Sequence, residues 1–203
     1  MKKIPTLFER RFENQKIVEV LPNITPGCVD AFLHGTATVK IDGSCCAIIG
    51  GKLYKRYDAK GGKPIPDGAI KCQDEPDSIT GHLPCWVECN RDNPANKWFF
   101  EAYNNALKFN EVDSLEDGTY EAIGKHFQGD PYHIDKDVME KHGIREVTVA
   151  RTFYGVIWWL GHFYEEGLVF WLSGEPICKI KRSDFGFEWN KKGGKKMTRE
   201  SDV

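Results

Sequence analysis

No apolar run in this 203-residue chain approaches the roughly 20 residues that a membrane-spanning helix needs. The opening Met1-Lys2-Lys3-Ile4-Pro5 also lacks the apolar stretch of a secretory signal. The expectation is a soluble, cytoplasmic protein with no membrane partner. Excess positive charge is missing too: 28 Lys and Arg stand against 30 Asp and Glu, a formal net charge of −2. That balance excludes a protein held on nucleic acid by bulk charge alone. Regular cysteine spacing is absent. Seven cysteines, an odd number at positions 28, 45, 46, 72, 85, 89 and 178, read as reduced thiols. Cys72, His82, Cys85 and Cys89 could be assembled into a zinc set, but the second close pair of such a site is lacking, and unligated thiols are the simpler expectation. Nor is there a glycine-rich phosphate loop or a kinase catalytic loop, so Asp184-Phe185-Gly186 is no sign of a kinase.

What is present is a globular composition, 40% hydrophobic and 29% charged, in a chain long enough to bury a core without disulfide or metal staples. The charge is unevenly spread. From Lys179 to Val203 eight Lys or Arg face four Asp or Glu, which makes the C-terminal end basic. Lys191-Lys192-Gly193-Gly194-Lys195-Lys196 reads as part of a flexible basic tail, and the folded part is expected to end near Trp189.

Residue patterns predict an α+β fold with a mostly antiparallel sheet. Thr36 to Ile41 alternates as a strand, and Cys45 to Tyr54 reads as two strands broken at Gly50-Gly51, a pair able to take the positive φ of a hairpin turn. Asn93-Pro94 is an N-cap followed by proline, ahead of a helix over about 94–109. Thr119 to Ile123, Glu146 to Ala150, Leu168 to Leu172 and Ile177 to Lys181 are predicted strands. Asp135 to His142, closed by Gly143, is a predicted short helix.

Chemistry concentrates at Lys40-Ile41-Asp42-Gly43, at a strand end ahead of a hairpin that delivers Lys55 and Arg56. A lysine can attack phosphorus once desolvation or neighbouring positive charge has lowered its pKa from about 10.4. By itself the pattern also describes an exposed strand lysine before an Asp-Gly turn. Its company is Glu121, Glu166 and the alternating pair Lys179 and Lys181, which share one strand face and can grip phosphates. Two carboxylates suit Mg²⁺, which takes one or two of them with phosphate oxygens and water. The aromatic run Tyr154, Trp158, Trp159 and Phe163 could stack on bases, although its helical spacing suits core packing.

This ordered set resembles the covalent nucleotidyltransferase superfamily of ATP-dependent polynucleotide ligases and GTP-dependent capping enzymes. Lys40-Ile41-Asp42-Gly43 matches motif I, with Lys40 as the nucleotide-accepting lysine. Arg56 matches the downstream arginine that contacts the ribose and the nucleotide or RNA phosphate. Glu121 corresponds to motif III at the ribose, Glu166 to the metal-side glutamate of motif IV, and Lys179 and Lys181 to the motif V lysines on the α-phosphate. Phe153 is one candidate for the base-stacking ring of motif IIIa, while Phe153 to Leu160 reads equally as a packed apolar helix. Within the superfamily, Lys40 to Cys46, Thr80-Gly81-His82-Leu83-Pro84-Cys85-Trp86, Lys97-Trp98, Gln128-Gly129-Asp130-Pro131-Tyr132, His142-Gly143 and Lys179 to Gly186 look like the small RNA ligase 1 family of animals, microbes and viruses.

That resemblance implies a nucleotidyltransferase (ATP-grasp-like adenylyltransferase) domain over 1–189, antiparallel sheets flanked by helices, and a basic tail over 190–203. It implies an RNA-repair enzyme that uses ATP and Mg²⁺, with Mn²⁺ as a substitute, to join RNA 5′-phosphate and 3′-hydroxyl ends. Lys40 would carry AMP, Glu121 and Glu166 would hold the metal, and Arg56, Lys181 and Arg182 would contact RNA. The chain after motif V is too short for an oligonucleotide-binding barrel, which favours an RNA ligase over a DNA ligase or a guanylyltransferase. A protein that binds nucleotide and RNA without turnover is the remaining alternative.

Overall fold

The computed structural model describes residues 1–189 except Gln15, Gly62 and Ile79, so the predicted basic tail over 190–203 lies outside the described residues. Its elements run β1 (Phe8–Glu13), β2 (Lys16–Ile24), α1 (Val29–His34), β3 (Thr36–Lys40), β4 (Ser44–Ile49), β5 (Lys52–Ala59), β6 (Ile70–Lys71) and β7 (Leu83–Glu88). There follow α2 (Lys97–Asn110), β8 (Gly118–Ile123), β9 (Val138–Lys141), α3 (Phe153–His162), β10 (Gly167–Leu172) and β11 (Glu175–Lys181). The fold is α+β, and all the strand pairings within its three sheets are antiparallel. No helix among the described residues is long and apolar enough to cross a membrane.

Three sheets divide the strands. β1 and β2 form a hairpin, β11-β10-β3 a three-stranded sheet, and β6-β7-β5-β4-β8-β9 a six-stranded sheet. The N-terminal segment lines the free edge of the smaller sheet: Lys179 N–H donates to the Pro5 carbonyl and Leu7 N–H to the Lys179 carbonyl. One core packs Phe8, Phe32, Phe170, Leu160, Leu168 and Ile180 around this sheet and the helices α1 and α3. A second packs Cys46, Ile48, Leu53, Tyr120, Ala122 and Met139 beneath α2.

Period-two alternation sorts the faces of the larger sheet. Cys46 and Ile48 face α2, so Cys45 and Ala47 face the other way, as does Glu121 between the α2-facing Tyr120 and Ala122. The β4–β5 turn needs its glycines, since Gly50 and Gly51 have φ of 56° and 73°, and both their N–H groups donate to the Asp117 carboxylate. At the predicted helix start, Asn93 accepts the Ala95 N–H as an N-cap; a single 3₁₀ turn over Pro94–Asn96 then leads into α2.

Two predicted elements take another form. Asp135 to His142 is not a helix: Val138–Lys141 is strand β9, paired with β8 from Tyr120↔Lys141 to Ile123↔Val138. This pairing satisfies an edge of β8 and buries Met139 against the α2 core, a tertiary gain that outweighs the local helical pattern. Glu146 to Ala150 is not a full strand. Only Glu146 bridges Thr38, flanked by bonds from Val39 N–H to the Arg145 carbonyl and from Val147 N–H to the Ala37 carbonyl.

Candidate functional site

The site is assembled at one end of the three-stranded sheet. In the ladders, Gly167 stands opposite both Lys40 of β3 and Lys181 of β11, so the residue before it, Glu166, arrives between the two lysines. A Cβ on Gly167 would lie 2.1 Å from the Ile180 carbonyl oxygen, so glycine is what lets β10 come this close to β11. The Glu166 carboxylate, in a residue 5% exposed, reaches Lys40 Nζ at 2.5 Å through one oxygen and Lys181 Nζ at 2.6 Å through the other. Burial would lower Lys181, but the charge and hydrogen bond of Glu166 outweigh it and hold Lys181 above its ordinary value.

Lys179, one strand step along the same face, makes no side-chain ion pair or hydrogen bond among the described residues. Burial first, and then the ammonium groups of Lys40 and Lys181, lower its pKa to about 8. Arg56, on the larger sheet, contributes to the same depression and so brings its charge to this end of the pocket. Its Nε donates to Asp58 Oδ1 at 2.8 Å and its Nη1 to the Met1 carbonyl at 2.8 Å. Lys55 faces the other side of the strand and donates to Asn96 Oδ1.

A stability consequence follows from Lys179. The unfolded chain keeps its proton up to about pH 10.4, whereas the folded chain releases it near pH 8. The folded state therefore gains stability as pH rises between these values and carries the full penalty below pH 8. Lys179→Met is expected to stabilise the protein at pH 7 by on the order of 2 kcal/mol, and the gain should disappear near pH 10. Urea midpoints of parent and variant at the two pH values check this; an equal gain at both would remove the electrostatic cause.

The turn that presents Lys40 is held from three sides. The Asp42 N–H donates to the Tyr132 hydroxyl at 2.8 Å, and Trp189 Nε1 donates to Asp42 Oδ2 at 2.8 Å. Gly43 sits where a Cβ would be 2.3 Å from the Ala122 carbonyl oxygen, which packs the turn onto β8. Burial raises the Asp42 pKa despite the Trp189 bond, which lowers it. Neither Tyr132 nor Trp189 had a role assigned from sequence. Each is a single aromatic far along the chain, and only folding brings it to Asp42.

Glu121, on β8 of the larger sheet, is 8% exposed, with Oε2 at 2.9 Å from His142 Nε2. Cys45 is directly opposite it in the β4–β8 ladder. The expected metal role divides here. Glu166 offers the hard carboxylate oxygen that Mg²⁺ or Mn²⁺ takes with phosphate and water, whereas Glu121 is grouped with a thiol and an imidazole, donors that suit a softer ion. Cys72, His82, Cys85 and Cys89 do not assemble: no three of them come within ligating distance of one another among the described residues.

Two other expected site residues make contacts within the fold. Phe153 packs edge-on against Phe8, Tyr154 and Phe185 at centroid distances of 5.0, 5.6 and 5.8 Å, the role its apolar-helix reading describes. Arg182, expected on RNA, donates to the backbone carbonyls of Leu160, Phe163 and Glu188 and stands over the rings of Tyr164 and Phe187. Its guanidinium thereby closes the C-terminal end of α3, whose last carbonyls have no partner within the helix. Arg182→Ala is expected to cost about 2 kcal/mol in chemical unfolding, and Arg182→Lys should recover little because an ammonium cannot span those carbonyls. Full stability in Arg182→Ala would contradict this role.

A groove of about 650 Å³ between the β4–β5 turn and α2, lined by Leu53, Cys89, Arg91, Phe100 and Tyr103 among others, contains none of the lysine-cluster residues. No protein-family model matches the chain, and no match is found among curated proteins.

Proposed function

We propose that the protein is an ATP-dependent RNA ligase built on a nucleotidyltransferase domain. The observation that carries this reading is the cluster of Lys40, Lys179 and Lys181 around the single carboxylate of Glu166. Such a cluster attracts a polyphosphate and sets Lys40 beside a carboxylate. Lys40 attacks the α-phosphorus of ATP, forming an N–P bond as the bond to the pyrophosphate oxygen breaks. Two protons leave the Lys40 ammonium as the phosphoramidate forms, the first to Glu166, 2.5 Å from Nζ, and the second to solvent. Lys179 and Lys181 bind the phosphate oxygens, where fixed positive charge lowers the cost of the developing charge. Lys40 then passes AMP to an RNA 5′-phosphate, and a 3′-hydroxyl displaces AMP to close the phosphodiester. Glu166 would hold Mg²⁺ or Mn²⁺, which when bound shields the charge of the attacked phosphate. Arg56, whose charge reaches Lys179, would suit the phosphate end of the nucleotide, and Glu121 would take the ribose end, as the resemblance implies.

The test is incubation with α-labelled ATP and Mg²⁺, followed by sealing of 5′-phosphorylated single-stranded, nicked and hairpin RNAs. Covalent label that disappears in Lys40→Ala, together with joined RNA, is the expected result. Absence of label, or label that persists in Lys40→Ala, would overturn the proposal. Preferential labelling by GTP, or sealing of nicked DNA alone, would move the protein to a guanylyltransferase or a DNA ligase.

A further inference from the structure

Cys45, Glu121 and His142 form a second grouping, on the face of the larger sheet turned away from α2. Their sulfur, carboxylate oxygen and imidazole nitrogen atoms all lie within 4.8 Å of one another, the one such three-residue group among the described residues. We propose that these three side chains bind a thiophilic divalent cation of the zinc(II) class, with a fourth position open to solvent or an added ligand.

The donors argue for that class. Thiolate, imidazole and carboxylate are the ligands zinc takes in tetrahedral sites, where neighbouring donors stand about 3.5 Å apart. Mg²⁺ demands six oxygen-type donors and has no use for sulfur. The scaffold is rigid, because Cys45 and Glu121 are paired residues on β4 and β8, and His142 follows β9, with its N–H bonded to the Thr119 carbonyl.

His142 is also oriented from behind. Its Nδ1 lies 3.0 Å from Thr119 Oγ1 and its Nε2 points at Glu121 Oε2 at 2.9 Å. A partner on the rear nitrogen is what fixes the ring and tautomer of a metal-ligating histidine. The contact at the front nitrogen places a proton between imidazole and carboxylate; a cation would take its place as the ring changes tautomer, with the proton on Nδ1 then donated to Thr119 Oγ1. Charge closes as well: a dication with one thiolate and one carboxylate is neutral, which limits the cost of holding it away from water. Binding forms one metal–sulfur bond and releases the Cys45 thiol proton to solvent.

Glu121 is the residue this site shares with the proposed nucleotide site, so the test contains no nucleotide and its outcome is read separately from that of the ligase assay. The metal-stripped full-length protein is titrated with Co²⁺ alone and then with Zn²⁺. The expected result is one equivalent of Co²⁺, a sulfur-to-metal charge-transfer band, and bleaching of that band by stoichiometric Zn²⁺ but not by Mg²⁺. Cys45→Ser should abolish the band, and His142→Ala should weaken Zn²⁺ binding at least as much as Thr119→Val, for which a loss of about tenfold is expected. Thermal unfolding without metal identifies any variant that fails to fold. His142→Gln, a change beyond the end of β9, then carries the same comparison. No stoichiometric binding, a band that persists in Cys45→Ser through the other thiols, or displacement by Mg²⁺ would each overturn the proposal.

Discussion

Lys40→Arg is expected to fold as stably as the parent while covalent labelling by α-labelled ATP falls by at least about a thousandfold, the scale on which loss of a nucleophile acts in other enzymes. Two properties of one residue are separated by this change. In the structure Lys40 is a positive partner for Glu166 at 2.5 Å, and a guanidinium can keep that ion pair. In the proposed reaction Lys40 must also lose a proton and offer a lone pair, which arginine does not do because its pKa is above about 12. Lys40→Ala removes both properties, so the arginine variant is the cleaner test. Equal loss of label and of stability in Lys40→Arg would mean that a packing defect, rather than a missing nucleophile, explains the inactivity. The measurement pairs gel labelling with urea unfolding of the same preparations.

Glu166→Ala is expected to cost about 3 kcal/mol of stability, the lower end of the range for removing one partner of a buried ion pair. In a chain of this size that corresponds to a fall of roughly 6 to 12 °C in melting temperature. The cause is what remains behind: Lys40 and Lys181 lose the carboxylate that holds both, and Lys179 keeps no neighbouring anion to offset its burial. The lower end applies because the side chains of Lys40 and Lys181 are 21% and 38% exposed, so water relieves part of the repulsion. Adding Lys181→Met to Glu166→Ala should recover part of the loss by removing one unpaired ammonium, and higher salt should narrow the difference from the parent. An unchanged melting temperature in Glu166→Ala would show that the cluster is already neutralised by other means. Labelling is expected to fall with it, since Glu166 both orients Lys40 and receives its proton in the proposed step.

These expectations depend on features of unequal legibility. The β4–β5 hairpin was readable because Gly50-Gly51 is a local signal whose conformation two residues decide. The α2 start was readable from Asn93-Pro94 for the same reason, and β3, β8, β10 and β11 followed from alternation and β-forming residues. The β1–β2 hairpin, α1 and β7 were not predicted. Leu83–Glu88 contains Pro84, and its strand form depends on the β5 partners from Tyr54↔Glu88 to Ala59↔Leu83. Val138–Lys141 and Glu146 went the other way, from predicted elements to forms that neighbouring strands imposed.

The sequence by itself determined the order of the chemical residues, the α+β class and the turns, because each depends on residue type and near neighbours. It could place Lys179 and Lys181 on one strand face, since alternation is a property of the strand alone. Only the tertiary structure decided that Glu166 would stand between Lys40 and Lys181, that Arg182 would reach the Leu160 carbonyl and Phe153 the ring of Phe8, and that Cys45, Glu121 and His142 would meet. Those outcomes depend on strand order and register between segments more than a hundred residues apart in the first case, and no local preference encodes that alignment. The near-zero net charge carries the same lesson. Charge on this protein acts through where folding gathers it, and at the end of β10 folding gathers three lysines around one carboxylate.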